Sequence, residues 1–219
     1  MAIVDEDKTA WALAAERLEN GARDLGLSLS RETSERLLAY LELMRRWNRV
    51  FNLTAIRDPE EMVTRHILDS LAVLPYLPPG ALLDVGSGAG LPGIPLALIE
   101  PNRSVTLLDR SHKRIDFLTE VAAQLALPNI ALVCQRVEDH HPPAPYDVVI
   151  ARAFASLHDI VVATDHLLAK KGTLIAMKGA LPTEELAAVE PPFTVRAVHA
   201  LQVPGLLAKR HLVVLARAA

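Results

Sequence analysis

A glycine-rich turn within residues 82–95 carries the clearest chemical signal in this sequence. The stretch LLDVGSGAGLPGIP runs from a short apolar segment through the turn and into the start of a helix. Turns of this kind bring backbone N–H groups and a helix N-terminus close to a bound ligand. The spacing G-x-G-x-x-G occurs at Gly88, Gly90 and Gly93, but alone it is weak evidence. Counted from the first glycine after the strand, Gly86 and Gly88 are followed by Leu91, which misses the dinucleotide-binding fingerprint.

Three acidic residues are predicted at the carboxyl ends of three successive strands. Asp84 ends the first strand, Asp109 ends the second, and Glu138, next to Val137, follows the third. Asp109 can accept hydrogen bonds from ribose hydroxyls, Glu138 can reach an adenine edge, and Asp84 can face an ammonium group. This row of carboxylates suits a cationic nucleoside and repels the pyrophosphate of a dinucleotide. The alternative is that each acid caps the helix that follows it.

The order acid-x-Gly-x-Gly-x-Gly at residues 84–90 is typical of class I methyltransferases that use S-adenosylmethionine. Two positions then narrow the methyl acceptor. Cys134 falls within a predicted strand and is interpreted as a small buried residue, not as the nucleophile that pyrimidine C5 methylation needs. Arg152 lies where enzymes that methylate exocyclic amines have a hydrogen-bond acceptor, which arginine cannot be. Two kinds of methyl acceptor remain: an atom with a free lone pair, such as guanine N7, or an atom that is activated by residues elsewhere.

No catalytic side chain is expected beyond those that position the reactants. The eight histidines show no metal-ligand spacing, so no metal is expected either.

A local basic cluster is the main candidate for nucleic-acid contact, because the net charge of −3 gives no general attraction to RNA. Five arginines, at positions 36, 45, 46, 49 and 57, lie close together in the sequence. Of these, Arg45, Arg46 and Arg49 are predicted to contact phosphate. The alternative is a solvated helix face.

The elements that position these residues fall into two groups. Three helical patterns come first: residues 9–25, a segment capped by Ser30, and about 58–77 with Pro59 in the first turn. The break at 77–80 then divides the chain into an N-terminal helical extension (1–77) and a second domain (78–219). Seven strands are predicted after the break: residues 81–85, 104–109, 130–134, 146–153, 172–178, 195–203 and 211–218. The last two strands are joined too closely for a crossover helix and must pair antiparallel. The expected fold is therefore α/β, with a doubly wound, Rossmann-like sheet whose last strand is antiparallel.

Composition sets the class of protein. Hydrophobic residues make up 51% of 219 residues, which is enough for a sizeable core, and Cys134 is the single cysteine. A lone cysteine and an acidic N-terminus without an apolar region favour a cytoplasmic protein. No apolar run is long and uncharged enough to predict a membrane helix.

The motifs together resemble one family. LLDVGSGAGLPGIPLA, LLDRSHKRIDFL, RVED, ARAFASL, MKG and LQVPG…KRHLVVL are similar to those of the RsmG family, also called glucose-inhibited division protein B. RRWNRVFNLTAIRDPEEMVTRHILDSL, at 45–71, resembles the N-terminal signature of that family, and the resemblance covers about 30–217. It implies methylation of guanine N7 at guanosine 527, in the 530 loop of 16S rRNA near the decoding centre.

The resemblance also implies a set of S-adenosylmethionine contacts. Besides the three acids and the glycines, it assigns Leu91, Ser111, Val137 and Arg152 to the donor. Arg110 falls within the same motif, although many relatives have a small residue there. Arg152 is interpreted as an anchor for a carboxylate or phosphate, not as an acid catalyst.

The side that receives RNA is less defined. Asn52 and His66, with Asn48 and Thr54, could bind the target loop, or they could cap helix ends and fix the extension to the sheet. Lys178 could hold a phosphate, or it could be a solvated lysine at a strand end. The expected partner is 16S rRNA or the small ribosomal subunit, with the protein a monomer. A small-molecule methyltransferase and a non-catalytic RNA-binding assembly module are the alternative functions.

Overall fold

A computed structural model describes residues 2–152 and 155–218. Its N-terminal part is helical: α1 is Ala2–Asp24 and α2 is Arg31–Trp47. The Ser30 side chain accepts a hydrogen bond from the backbone N–H of Thr33, which confirms the predicted cap. The predicted helix over 58–77 is instead a composite of α3 (Pro59–Met62), a π-helical segment (Val63–Leu68), α4 (Asp69–Leu71) and a 3-10 turn (Leu74–Tyr76).

The seven predicted strands form one mixed sheet. Strands and helices follow in the order β1 (Leu82–Val85), α5 (Gly93–Ile99), β2 (Val105–Asp109), α6 (His112–Gln124), β3 (Ile130–Cys134), β4 (Tyr146–Arg152), α7 (Leu157–Thr164), β5 (Leu168–Lys178), α8 (Thr183–Ala187), β6 (Phe193–Leu201) and β7 (Arg210–Arg217). Short 3-10 turns lie at Val137–Asp139 and Asp165–Leu167.

The strand order is β3-β2-β1-β4-β5-β7-β6. Strands β1 to β5 are parallel, and β7 inserts between β5 and β6, antiparallel to both. The predicted α/β fold with an antiparallel last strand is therefore confirmed. Strand β5 begins four residues earlier than predicted, and the last predicted residue of β4 lies outside the described residues.

Helices cover both faces of the sheet. Successive residues of β1 point to opposite faces, so Leu82 joins one core cluster and Leu83 the other. The first cluster also contains Leu18 of α1 and Leu41 of α2, which places the N-terminal helices on the same face as α5 and α6. The predicted boundary at residue 77 therefore separates segments that share one core.

Cys134 departs from its predicted burial. It lies in β3 as predicted, but β3 is an edge strand, so the residue is only half-buried. Its Sγ lies 3.3 Å from Nδ1 of His112.

Candidate functional site

The glycine turn after β1 is held by its own backbone. Gly86, Gly88 and Gly90 have φ of 66°, 59° and 89°, a region that favours glycine. The N–H groups of Gly86 and Ser87 donate to the carbonyl of Leu108, at the end of the neighbouring strand β2. A Cβ at Gly90 would lie 2.5 Å from Ile94 Cγ1 and 2.7 Å from Leu118 Cδ2, so α5 and α6 pack directly on the turn.

Tyr40 connects the N-terminal helices to this turn. The fully buried Tyr40 lies in α2, and its hydroxyl donates a hydrogen bond to the carbonyl of Ala89. Burial raises the pKa of Tyr40, so the hydroxyl keeps its proton and remains a donor. A helix outside the sheet thus fixes the position of the turn.

Asp84 lies beneath the turn and is fully buried. Its Oδ2 accepts a hydrogen bond of 2.8 Å from the N–H of Gly93, the first residue of α5. Burial raises the pKa of this carboxyl to about 7, although the bond from Gly93 opposes that shift. Its Oδ1 has no hydrogen-bond partner among the described residues. One oxygen therefore caps a helix, as the alternative interpretation expected, and the other is left for a further donor.

Asp109 is also nearly buried and already accepts three hydrogen bonds. Its Oδ2 lies 2.9 Å from the N–H of Gly88 and 3.0 Å from Nη1 of Arg114, and its Oδ1 lies 2.9 Å from the N–H of Ser111. Asp109 thus ties the glycine turn to the start of α6.

Two adjoining cavities lie at the carboxyl edge of the sheet and share Gly86 and Arg114. We call the smaller, of about 410 Å³, the β2–β3 cavity, because it follows those two strands. Its walls include five of the predicted donor contacts: Gly86, Asp109, Arg110, Val137 and Glu138. Val137 is buried, whereas Arg110 and Glu138 are exposed. We call the larger, of about 560 Å³, the β4–β7 cavity.

The β4–β7 cavity brings together four of the predicted donor residues with two of the predicted RNA contacts. The predicted residues in its wall are Gly86, Gly88, Leu91, Arg152, His66 and Lys178. Asp84 and Ser111 contact neither cavity wall directly. Ser87 also lines the β4–β7 cavity, and its buried Oγ has no hydrogen-bond partner among the described residues.

His66 reaches the β4–β7 cavity from the π-helical segment. Its Nε2 lies 3.0 Å from Oγ1 of Thr54, and its buried Nδ1 has no hydrogen-bond partner in the described part of the chain. Burial, together with the positive charge of Arg152, lowers its pKa to about 4. The imidazole is therefore neutral at pH 7 and cannot act as a cationic phosphate ligand.

A buried carboxylate joins two arginines in the same cavity. Asp69, which is 2% exposed, lies 2.7 Å from Nε of Arg210 through Oδ1 and 3.4 Å from Nη1 of Arg152 through Oδ2. Lys178 lies between these arginines along the sheet edge, and its Nζ contacts Glu185 Oε2 and the Ala155 carbonyl, each at 2.9 Å. Lys178 is therefore not a solvated lysine, which was the alternative interpretation, and its contact with phosphate stays a prediction.

The predicted phosphate contacts in α2 lie outside both cavities. Arg45 forms a two-point ion pair with Asp7, at 2.6 and 2.7 Å, and Arg46 is directed to Glu120 and Gln124 of α6. Intramolecular carboxylates would compete with phosphate for both side chains, and their phosphate contacts stay a prediction. Arg49 and Asn52 are exposed beside Leu53 and Thr54, which line the β4–β7 cavity. Asn48 is buried and bonded to the backbone of Leu53 and Thr54, so it shapes this loop.

Three residues of the site were not selected from the sequence: Asp69, Arg114 and Arg210. Each belongs to a motif quoted above, in HILDSL, SHKRIDFL or KRHLVVL. Asp69 and Arg210 are 141 residues apart, so only the folded chain brings them into contact.

In residues 2–152 and 155–218, no group of three or more histidine, cysteine, aspartate or glutamate side chains is arranged to hold a metal ion. Across the same ranges, no helix is long and apolar enough to cross a membrane.

Known proteins share both this fold and this sequence. The glycopeptide N-methyltransferase MtfA, complexed with S-adenosylmethionine, aligns with a TM-score of 0.57 at 11% identity, over 70% of this chain and 88% of that chain. Ribosomal protein L11 methylase from Lactobacillus delbrueckii subsp. bulgaricus aligns with a TM-score of 0.54 at 19% identity, over 76% and 90% of the two chains. The fold is thus that of class I S-adenosylmethionine-dependent methyltransferases.

Sequence comparison is more specific. A family model described as rRNA small subunit methyltransferase G matches residues 33–213. Ribosomal RNA small subunit methyltransferase G of Methylobacillus flagellatus is 52% identical over 200 residues, which cover 91% of this chain and 97% of the relative. The protein of that name from Pseudomonas aeruginosa strain LESB58 is 48% identical over 94% and 96% of the two chains. The chain therefore belongs to the rRNA small subunit methyltransferase G family, as its motifs indicated.

Proposed function

We propose that this protein methylates N7 of guanosine 527 in 16S rRNA, with S-adenosylmethionine as the methyl donor. The pair of joined cavities at the carboxyl edge of the sheet carries the proposal. Asp109 and Glu138 line the β2–β3 cavity, Gly86 is shared by both, and the rest of the glycine turn lines the β4–β7 cavity together with a basic wall. Family membership supports an rRNA substrate. The choice of guanine N7 rests on the family resemblance and on the residues that other methylation chemistries need.

The donor side fits a cationic nucleoside. The β2–β3 cavity presents Asp109 and Glu138, which are ion-paired with Arg114 and Arg136 of the same wall. Among the described residues, the buried Oδ1 of Asp84 and the buried Oγ of Ser87, which lines the β4–β7 cavity, have no hydrogen-bond partner. Unpaired buried polar atoms are costly, so such atoms are natural places for ligand hydrogen bonds. When bound, S-adenosylmethionine would supply an electrophilic methyl group.

The residues on the acceptor side would orient the base. Guanine N7 has a free lone pair, so its methylation needs no general base, and the neutral His66 is suited to hydrogen bonding, not to proton donation. The main contribution of the protein would be to hold the reacting atoms in line. Such positioning lowers the activation barrier by about 7–11 kcal/mol in well-oriented systems.

Charge pairing in the β4–β7 cavity also favours the proposed reaction. Positive charge moves onto the guanine during transfer, so an unpaired cation nearby would raise the barrier. The four cations in the wall contact three carboxylates: Arg114 pairs with Asp109, Lys178 with Glu185, and Arg152 and Arg210 with Asp69. The one excess positive charge is available for an anionic group of the substrate.

We further propose that the enzyme is a monomer and acts in the cytoplasm. Ribosomal RNA as substrate agrees with that location.

One assay tests the proposal. Purified protein and labelled S-adenosylmethionine are incubated with small ribosomal subunits, protein-free 16S rRNA and a pool of small metabolites, and modified nucleosides are identified by mass spectrometry. We expect 7-methylguanosine at position 527 in one or both ribosomal samples. Label only in metabolites would indicate a small-molecule methyltransferase, and no transfer would indicate an RNA-binding assembly module.

A matched pair of variants links the assay to the site. Asp109→Asn should lower transfer at least tenfold, because a neutral amide cannot replace a carboxylate that accepts three hydrogen bonds. Asp116→Asn, an exposed aspartate on α6, should retain wild-type transfer. Equal activity of both variants would contradict the placement of the donor.

A further inference from the structure

The topology of the sheet places three cations side by side. Arg152 ends β4 and Lys178 ends β5, and these strands are parallel. Strand β7 runs antiparallel to β5, so its first residue, Arg210, lies at the same edge. Asp69, on α4, contacts the first and the last of the three.

The two arginines differ in their distance from the glycine turn. Strand β4 is adjacent to β1, whereas β7 lies three strands away in the order β1-β4-β5-β7. With neighbouring strands about 4.8 Å apart, Arg152 starts about 5 Å from β1 and Arg210 about 14 Å from it. Arg152 is therefore close enough to the glycine turn to contact the methyl donor, whereas Arg210 is placed to contact a ligand that lies farther from the turn.

The contacts of Arg210 leave part of its guanidinium available. Its Nε donates to Asp69 at 2.7 Å and its Nη1 to the carbonyl of Lys209 at 3.0 Å. Within the described residues, its Nη2 has no hydrogen-bond partner, and the residue lines the β4–β7 cavity. A guanidinium held at one edge by a buried carboxylate is fixed in orientation and can present its remaining donors to an oxyanion.

We propose that Arg210 binds a phosphate of the RNA acceptor and that Asp69 is a positioning residue that orients the Arg210 side chain. The proposal rests on the proposed function, because it assumes that the anion entering this cavity is rRNA. The charge balance agrees with this role, since two arginines share one carboxylate and one positive charge is left over.

The first test removes the charge of Arg210. Binding of protein-free 16S rRNA is measured by filter binding over a series of KCl concentrations for the wild type, Arg210→Gln and a control. We expect Arg210→Gln to weaken binding about tenfold or more, and the slope of log K against log salt to decrease by about 0.7, the value for one lost phosphate contact with single-stranded nucleic acid.

The control is Arg196→Gln. Arg196 is exposed on β6, towards the end of the β6–β7 hairpin that lies away from Arg210, and its removal deletes the same charge. It should retain the wild-type slope. An Arg210→Gln slope equal to that of the wild type, with affinity within twofold, would overturn the proposal.

The second test uses the sign of a charge effect. Asp69→Asn removes a negative charge from the cavity, so electrostatics alone predicts tighter RNA binding. A positioning role predicts weaker binding, because Arg210 loses its fixed orientation. We expect RNA affinity to decrease several-fold while the salt slope stays at the wild-type value. Tighter binding would contradict the role assigned to Asp69.

The third variant covers misfolding and separates the two proposals. Arg210→Lys keeps the charge and should keep the salt slope. It should bind RNA several-fold more weakly, because one ammonium group cannot bind Asp69 and a phosphate at the same time with the fixed geometry of a guanidinium. Wild-type affinity for Arg210→Lys would count against the proposal even if Arg210→Gln did not fold. Failure of the wild type to methylate 16S rRNA would reject the proposed function, whereas normal methylation with unaltered RNA binding by these variants would reject this inference alone.

Discussion

The two cavities are built in different ways. The proposed donor side depends on a backbone turn, with glycines at positive φ and single carboxylates at strand ends holding N–H groups. The β4–β7 cavity, beyond the glycine turn, depends on side chains from four distant segments: His66 and Asp69, Arg152, Lys178 and Arg210. Backbone geometry is encoded locally, whereas a cluster of side chains exists only after folding. This difference explains why one side could be identified from sequence and the other only in part.

The comparison predicts that the donor side is intolerant of added volume. Gly90→Ala should destabilise the protein by about 3–5 kcal/mol, because the substitution combines a positive φ with contacts of 2.5 and 2.7 Å to buried Ile94 and Leu118. Gly88→Ala is the matched control, since its φ is also positive but the added Cβ has only the Gly86 carbonyl, 3.8 Å away, within 4 Å. The control should cost about 1 kcal/mol. Urea unfolding measures both, and equal costs would show that the turn is not packed as described.

On the acceptor side, His66 should make stability depend on pH. Its pKa in the folded protein is lowered to about 4 from an unfolded value of 6.5, so its contribution to folding is present above pH 6.5 and is lost as the pH falls towards 4. The loss amounts to at most about 3 kcal/mol. The free energy of unfolding of the wild type minus that of His66→Gln, measured from pH 7 to pH 4, should decrease over this range. A constant difference would contradict the burial of a neutral imidazole.

Tyr40 tests how far the donor side depends on the N-terminal helices. Tyr40→Phe removes the donor to the Ala89 carbonyl and leaves that oxygen without this partner, at a cost of about 1–2 kcal/mol in stability. We expect donor affinity to fall along with stability, because the same bond positions the glycine turn. Calorimetric titration with S-adenosylmethionine measures this effect. Loss of stability with unchanged donor affinity would restrict Tyr40 to a packing role.

The smallest expected effect is the pH dependence of donor affinity at Asp84, which tests the assignment of the donor side directly. We propose that the ammonium group of the donor binds the ionised carboxylate of Asp84, whose pKa burial raises to about 7. Donor affinity should therefore fall about tenfold between pH 8 and pH 6, with proton release on binding near pH 7. Asp84→Asn should bind weakly and without this pH dependence. The same pH profile in the variant would assign the titration to another group.

Most of the fold was predictable because the sheet follows alternating apolar runs and turns. The spacing of the last two runs fixed their antiparallel pairing, and Ser30 and Pro59 marked helix starts that the structure retains. The π-helical segment over Val63–Leu68 was not predictable, since its amphipathic pattern is also that of an α-helix. The half-burial of Cys134 depends on β3 being an edge strand, which no local pattern encodes.

Site residues were predictable from the sequence where their positions follow from the strand and turn to which they belong. Asp84, Asp109 and the glycines belong to strand–turn units, so their proximity followed from the parallel sheet. Arg45 appeared available as a phosphate ligand because its partner, Asp7, is 38 residues away. The pairing of Asp69 with Arg210 spans most of the chain and required the structure.

The insertion of β7 between β5 and β6 has a consequence for the newly synthesised chain. Since β6 pairs only with β7 in the described part of the chain, it cannot join the sheet until residues 210–217 have left the ribosome. Until then β5 is an open edge with the apolar residues 174–177, the kind of edge that recruits strands from other molecules. A nascent chain interrupted before residue 210 would therefore lack Arg210 and would also expose the unpaired edge of β5, which is prone to aggregation.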